Sequence, residues 1–274
     1  WANGFRFDIK YWEIWNEPGL RESPGGGGGV FWHGPTDEFK KLFKVSLRHL
    51  KRRFPGLKFG GAGICCHDFG SEIIREFGAE KVPLDFYSWH LYGSDPRAMA
   101  AKARGVRKEL DAAGYAKTES INDEWNYMRS FERRSRQYGY EVEYGRYSEK
   151  GAAFIAAVMS AFQDAPLDVS MFYDARHPGM NSLFDGIHNL PMRGYYPFLI
   201  WNSLLKLGTQ VRAEATLEDV YVTAAKDKSG NLGVLVVRYS DDNNQIRPVR
   251  VTVRLASKKP LDGATLHLTD DKRI

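Results

Sequence analysis

Cysteine is nearly missing from this chain: two occur in 274 residues, side by side at Cys65 and Cys66. Adjacent cysteines cannot build a disulfide framework, and no metal-ligand spacing surrounds them, so a disulfide-stapled or zinc-held fold is excluded. They are expected as small buried residues at a strand end. No run of about 18 apolar residues occurs, which excludes a membrane-spanning helix. A signal-peptide pattern is missing as well, in a chain that opens on Trp1 rather than an initiator Met, so its location stays open. A glycine-rich phosphate loop is also lacking. The five glycines at 25–29 follow no strand, lead promptly into no helix and lack the Gly-x-Gly-x-x-Gly spacing; they are expected as a flexible loop. No nucleotide cofactor is implied.

Charge of one sign is scarce too. Lys+Arg 39 against Asp+Glu 34 leaves a net +5, and the basic residues are spread out. The densest clusters, RHLKRRF at 48–54 and FERRSR at 131–136, fall in an expected helix and an expected loop and read as solvated surface, not a nucleic-acid patch. What is plentiful is aromatic: rings make up 14% of the chain, with seven Trp and fourteen Tyr. Such rings either fill a large core or serve as flat platforms for sugars, and composition alone leaves both open.

From residue 9 to about 208, short apolar runs alternate with helix-like segments. IKYWEIW reads as a strand. Thr36 offers a helix N-cap, Asp37 and Glu38 acidify the first turn, and Phe39, Leu42, Phe43, Leu47, Leu50 and Phe54 recur at helical spacing until Pro55-Gly56. LKFGGAG, LDFYSWHLY, AKTESINDEW and LDVSMFYD follow as strands, interleaved with four further helices. Five strand–helix pairs in strict order predict a parallel sheet with covering helices, in an open doubly wound sheet or a (β/α)₈ barrel. From Thr209 the period becomes two, in VYVTAAKD, LGVLVVRYS, RPVRVTVRLA and TLHLTD, which predicts a small antiparallel β-sandwich domain over 209–274.

The candidate chemistry sits where strands end. In YWEIWNEP, Pro18 cannot continue a ladder, so the strand is expected to stop there and project Glu17 at the sheet's carboxyl edge. Glu124, in INDEWNY, ends a later strand. Two carboxylates converging from different strands supply what glycoside hydrolysis needs: one acid to protonate the leaving oxygen, one carboxylate to attack or to activate water. Glu13 lies four residues before Glu17, about 13 Å deeper at ~3.3 Å per residue, and is expected to be a buried structural carboxylate with a cation or donors beside it. His90 and Tyr92 share a strand face and can bond a carboxylate or a sugar hydroxyl. Asp174, Arg176 and His177 are pocket-rim candidates. Phe31 and Trp32, after the glycine run, are expected as an aromatic wall of the cleft.

Taken in order, YWEIWNEP, DFYSWHLY and DEWN resemble the clan of retaining glycosidases built on (β/α)₈ TIM barrels. EWN together with the trailing β segment is most similar to glycoside hydrolase family 39, which holds β-xylosidases and α-L-iduronidases; DEWN also resembles family 51 arabinofuranosidases. The resemblance implies Glu17 as acid/base, Asn16 as the residue gripping the sugar's 2-hydroxyl, Glu124 as nucleophile, and His90 and Tyr92 as pocket lining, with no metal or cofactor. It implies a glycoside or oligosaccharide substrate, β-xylosidase-like, or an α-L-arabinofuranoside in the alternative; a non-catalytic carbohydrate-binding protein is the reading from another class. It also places Ile9–Asn16 as barrel strand 4. Residues 1–208 then hold strands 4 to 8 of a barrel that needs about 250 residues. The missing first three strands are expected from a longer chain or from another copy in a homo-oligomer.

Overall fold

The computed structural model describes residues 7–20, 30–65, 67–129, 136, 145–175, 183–244, 248–256 and 263–268. The chain forms two compact units, one of Trp1–Met128 with Val158–Ala175, the other of Arg129–Ala157 with Arg176–Ile274.

The first unit is a five-stranded parallel sheet in sequential order, β1 (Tyr11–Glu13), β2 (Lys58–Ile64), β3 (Phe86–Gly93), β4 (Glu119–Tyr127) and β5 (Val169–Phe172). Helices α1 (Thr36–Arg53), α2 (His67–Ala79), α3 (Pro96–Ala112) and α4 (Glu149–Gln163) connect them, α4 crossing from one unit to the other. Sequential parallel order with intervening helices is the pattern of a partial (β/α) barrel. Strand parity divides β3 between two environments. Tyr87, Trp89 and Leu91 pack into the aromatic and aliphatic cluster that α1 and α2 build from Phe39, Phe43, Leu47, Ile73 and Phe77. Ser88, His90 and Tyr92 therefore point to the opposite side. Burying each of those helix rings contributes roughly 1.5–3 kcal/mol, which fixes the strand's facing more firmly than any single polar contact.

Local signals explain the helix limits. Asp95 caps α3, its carboxylate accepting from the Arg97 and Ala98 amides at 2.8 and 3.2 Å, while Pro96 takes the first-turn place where no amide partner is needed. At α1 the cap residue is Pro35, without a side-chain cap bond, so Thr36 begins the helix instead of capping it. The RHLKRRF surface is partly paired: Lys51 bridges Asp85 at 2.8 Å, and on the same helix Lys40 and Lys44 reach Glu72, Glu76 and Glu80 of the α2 segment.

Two expectations about strands change. β1 ends at Glu13, not at Pro18, because Trp15 (φ 72°) and Glu17 (φ 46°) both adopt left-handed backbone that a strand cannot hold. Backbone bonds to β2 still continue past the break, from Ile14 N–H to Gly60 O and from Glu17 N–H to Ala62 O. In the second unit, β6 (Thr209–Val211), β7 (Val220–Lys226) and β8 (Leu232–Arg238) form one antiparallel sheet on which α5 (Tyr196–Leu207) packs. A Cβ on Gly233 would come within 2.8 Å of Leu204 and Leu207, so helix and sheet meet through that glycine. RPVRVTVRLA and TLHLTD, expected as two more strands, join no ladder among the described residues, and a second sandwich layer is not formed there. Val251, Val253 and Leu266 are exposed. Alternation supplies β propensity, but a strand is stabilised by the partner that covers its apolar face. No described helix is long and apolar enough to cross a membrane.

Candidate active site

The side of the sheet away from the helices gathers acids around one imidazole. His90 is buried at mid-β3, its Nδ1 2.6 Å from Glu17 Oε1 and 3.6 Å from Glu124 Oε2, its Nε2 3.6 Å from Asp123 Oδ1. Tyr92, two residues on, donates its hydroxyl to Glu124 Oε1 at 2.5 Å. Donor atoms of Glu17, His90 and Glu124 all lie within 4.8 Å of one another. Among the described residues this is the group compact enough to hold a metal ion. His90 and Glu17 share a hydrogen bond, and Glu124 is held beside them by the Tyr92 hydroxyl.

The backbone produces this convergence by two irregularities. Pairing of β3 with β4 matches Trp89 to Asn122 and His90 to Glu124, so Asp123 is an extra residue in the ladder. In a regular strand Asp123 and Glu124 would face opposite sides; the bulge turns both toward His90. Asn122, fully buried, holds the bulge by donating to Trp89 O at 2.8 Å. On β2 a matching shift falls between Gly61 and Ile64 and leaves Gly63 at φ +57°. A Cβ there would lie 2.7 Å from Asn16 Oδ1 and 2.8 Å from His90 Nε2. The exposed Asn16 and the imidazole both lie against this bare glycine backbone, and Asn16 is flanked by the left-handed Trp15 and Glu17. Strained non-glycine residues of this kind cost on the order of 1–3 kcal/mol each and cluster where function needs a fixed geometry.

Of the residues singled out from sequence, Glu17, Asn16, His90, Tyr92 and Glu124 are thus brought together. Trp32 is half-buried between Trp15 and Phe39, with ring centroids 5.3 and 5.7 Å away, and donates its indole N–H to Pro35 O. Trp15 is the more exposed ring of that stack, and it was not singled out. Asp174 follows β5; Arg176, His177, the glycine run 25–29, Cys66 and residues 131–135 lie outside the described residues. Cys65, partly buried, directly follows β2.

Glu13 departs from expectation. It is exposed, because β1 is an edge of the sheet, and among the described residues no cation pairs with it. It accepts from the Ser88 hydroxyl, which itself accepts from Gly63 N–H at 2.9 Å. Asp123 is the residue sequence reasoning passed over. Burial, then the charge and hydrogen bond of Glu13, push its carboxyl up to about 8, against the opposing pull of His90. Burial would lower the His90 pKa, but the Glu17 hydrogen bond and the charges of Glu124, Asp123 and Glu17 together raise it.

The sign of the Asp123 shift makes a stability prediction. The stability of protonated Asp123 is fully present below its unfolded value of about 3.9 and is lost as pH rises toward about 8. Asp123→Asn, which keeps the neutral form, is expected to raise stability by about 1–3 kcal/mol at pH 7.5 and by nothing at pH 4. Urea denaturation at the two pH values measures it; an equal change at both would contradict it.

Parallel strands, helices on one side and glutamates meeting at strand ends define the class, a partial barrel of the glycoside hydrolase type. The family model for glycosyl hydrolases family 39 matches residues 7–172, and the chain belongs to that family. It is 26% identical over 269 residues to a β-xylosidase of Caldicellulosiruptor saccharolyticus, covering 88% of this chain and 50% of that one. Among solved structures, a glucosidase from Croceicoccus marinus superposes with a TM-score of 0.70 at 21% identity, over 87% of this chain and 50% of the other. A family 39 β-xylosidase from Caulobacter crescentus gives 0.59 at 19% identity, over 78% and 47%. The chain spans about half the length of the curated relative and of these structures.

Proposed function

We propose that this protein acts as a retaining glycosidase of β-xylosidase type, by double displacement. The observation that carries the reading is the approach of Glu17 and Glu124, whose oxygens lie within 4.8 Å. That is close to the roughly 5–5.5 Å separation of retaining enzymes and short of the ~6.5–9.5 Å that leaves room for an inverting water. Glu124, oriented by the Tyr92 hydroxyl, attacks the anomeric carbon while Glu17 protonates the departing oxygen. A glycosyl–Glu124 ester results. Glu17, now a carboxylate, takes a proton from water, and that water's oxygen displaces Glu124 with the sugar's original configuration restored. Asn16 grips the 2-hydroxyl, and Trp32 backs the aromatic side of the cleft. The preference for a β-xyloside rests on the names of the curated relatives. Residues 1–208 are proposed to contribute strands 4 to 8 of the (β/α)₈ barrel, and 209–274 part of a β-sandwich.

The test uses the full-length protein with aryl β-D-xyloside, α-L-arabinofuranoside, β-D-glucoside and α-L-iduronide, following the first-formed anomer by proton NMR. The expected result is the highest kcat/KM on the β-xyloside with the β anomer released first. An α anomer released first would overturn retention. Highest turnover of the arabinofuranoside would move the substrate assignment, and sugar binding without turnover of any would make this a carbohydrate-binding protein.

A further inference from the structure

We propose that Ser88 positions the Glu17 acid through the backbone of β2. The inference rests on the reading of Glu17 as acid/base and names the group that fixes where that acid stands. Ser88 lies on β3 two residues before His90, on the same side of the sheet, and is buried. Its pairing with β2 is irregular. Gly61 pairs with Tyr87 and Ile64 with Trp89, so Ala62 and Gly63 together oppose Ser88, two residues against one. Such a bulge breaks the regular ladder, and the Ser88 hydroxyl supplies a bond at the break: Oγ accepts from Gly63 N–H at 2.9 Å. The same hydroxyl donates its proton to Glu13 Oε1 of β1. One side chain thus bonds two strands besides its own.

Both residues of the bulge support the acid. Ala62 O accepts the Glu17 N–H at 3.0 Å, which ties the main chain of Glu17 to β2 beyond the end of β1. Gly63 is the backbone against which Asn16 and His90 lie, and His90 Nδ1 is 2.6 Å from the Glu17 carboxylate. Main chain and side chain of Glu17 are therefore both referred to the Ala62–Gly63 segment, which Ser88 fastens from β3. Glu124 is held otherwise, by the Tyr92 hydroxyl and the pairing of β3 with β4. Loss of the Ser88 hydroxyl leaves a buried N–H without that acceptor, which destabilises the bulge as it stands. The resulting shift moves Glu17 and spares Glu124. Ser88 acts through the backbone and is a positioning residue.

The experiment measures kcat/KM for the full-length protein and its Ser88→Ala, Ser88→Cys, Ser120→Ala and Glu17→Ala variants. The substrates are the phenyl and dinitrophenyl glycosides of the sugar turned over fastest. Dinitrophenolate leaves without a proton, so only the phenyl glycoside reports on the acid. Ser88→Ala should lose about tenfold or more on the phenyl glycoside and stay within about threefold of wild type on the dinitrophenyl one. Ser88→Cys, similar in size but a weaker acceptor, should show the same split and serves if the alanine variant fails to fold. Ser120, buried, accepts from the Trp89 indole at 3.1 Å on the helix side and is the comparison for a merely structural serine. Ser120→Ala should leave the ratio of the two rates unchanged. An unchanged ratio in the Ser88 variants, with a split in Glu17→Ala, overturns the positioning role alone, as does an equal split in Ser120→Ala. No split in Glu17→Ala overturns the acid/base reading beneath it.

Discussion

Replacing Glu124 by alanine should cost on the order of 10⁴-fold or more in kcat, because in the proposed mechanism its carboxylate is the group that forms the covalent intermediate. Tyr92 remains near the site, but a phenol is a poor substitute for a carboxylate that Tyr92 itself orients. The truncation also leaves a space the size of a small anion. Added azide should fill it, attack the anomeric carbon from that face, expel the aryl leaving group and give a glycosyl azide of inverted configuration. Glu17→Ala should behave differently. Its loss should be modest for a dinitrophenyl leaving group, which needs no proton, and large for a phenyl one. Azide should there rescue the second step and give the retained product. Product configuration read by NMR separates the two roles. An inverted azide from Glu17→Ala would exchange the assignments, and unchanged rates in both variants would remove catalysis from this site.

Gly63→Ala should be nearly as damaging without touching any acid. The methyl would meet Asn16 Oδ1 at 2.7 Å and His90 Nε2 at 2.8 Å, inside contact distance, on backbone at φ +57°. The left-handed conformation alone costs roughly 1–2 kcal/mol for a non-glycine residue. Relief of the clash requires His90 to swing away from the Glu17 carboxylate it now holds at 2.6 Å. Displacement of a catalytic group by about 1 Å can cost 10²-fold, and that is the loss expected in kcat/KM. A crystal structure of the variant should show the imidazole displaced. Activity within twofold of wild type would mean that the close approach of Asn16 and His90 to Gly63 is dispensable.

Much of the site was legible because strand ends announce themselves. Apolar alternation through FYSWHLY set His90 and Tyr92 on one face, and the structure keeps them there because Trp89 and Leu91 are packed into the helix-side cluster. The errors have a common origin. The strand at YWEIWNEP was expected to run to Pro18, since nothing in the residue types marks left-handed backbone at Trp15 and Glu17. Tryptophan and glutamate rarely adopt it, and it is tertiary contacts, the continued bonding of Ile14 and Glu17 to β2, the Trp15–Trp32 stack and the bond of Glu17 to His90, that hold them so. Glu13 was expected deep in an interior layer, because strand parity gives depth along a strand but says nothing about whether a neighbour covers it. RPVRVTVRLA failed in the same way, its alternation real and its partner missing among the described residues.

The sequence by itself determined the order of elements, the parallel sheet and the two glutamates at its carboxyl edge, because hydrophobic period and breaker residues are local properties. Asp123 was beyond its reach. In any regular strand it would face away from Glu124, and one residue too many between Asn122 and Glu124 turns both to the same imidazole. A bulge is set by the register of two strands joined through the helix and loops of residues 94–118, and only the tertiary structure fixes that register. It therefore decided that His90 answers to three carboxyls, those of Glu17, Asp123 and Glu124.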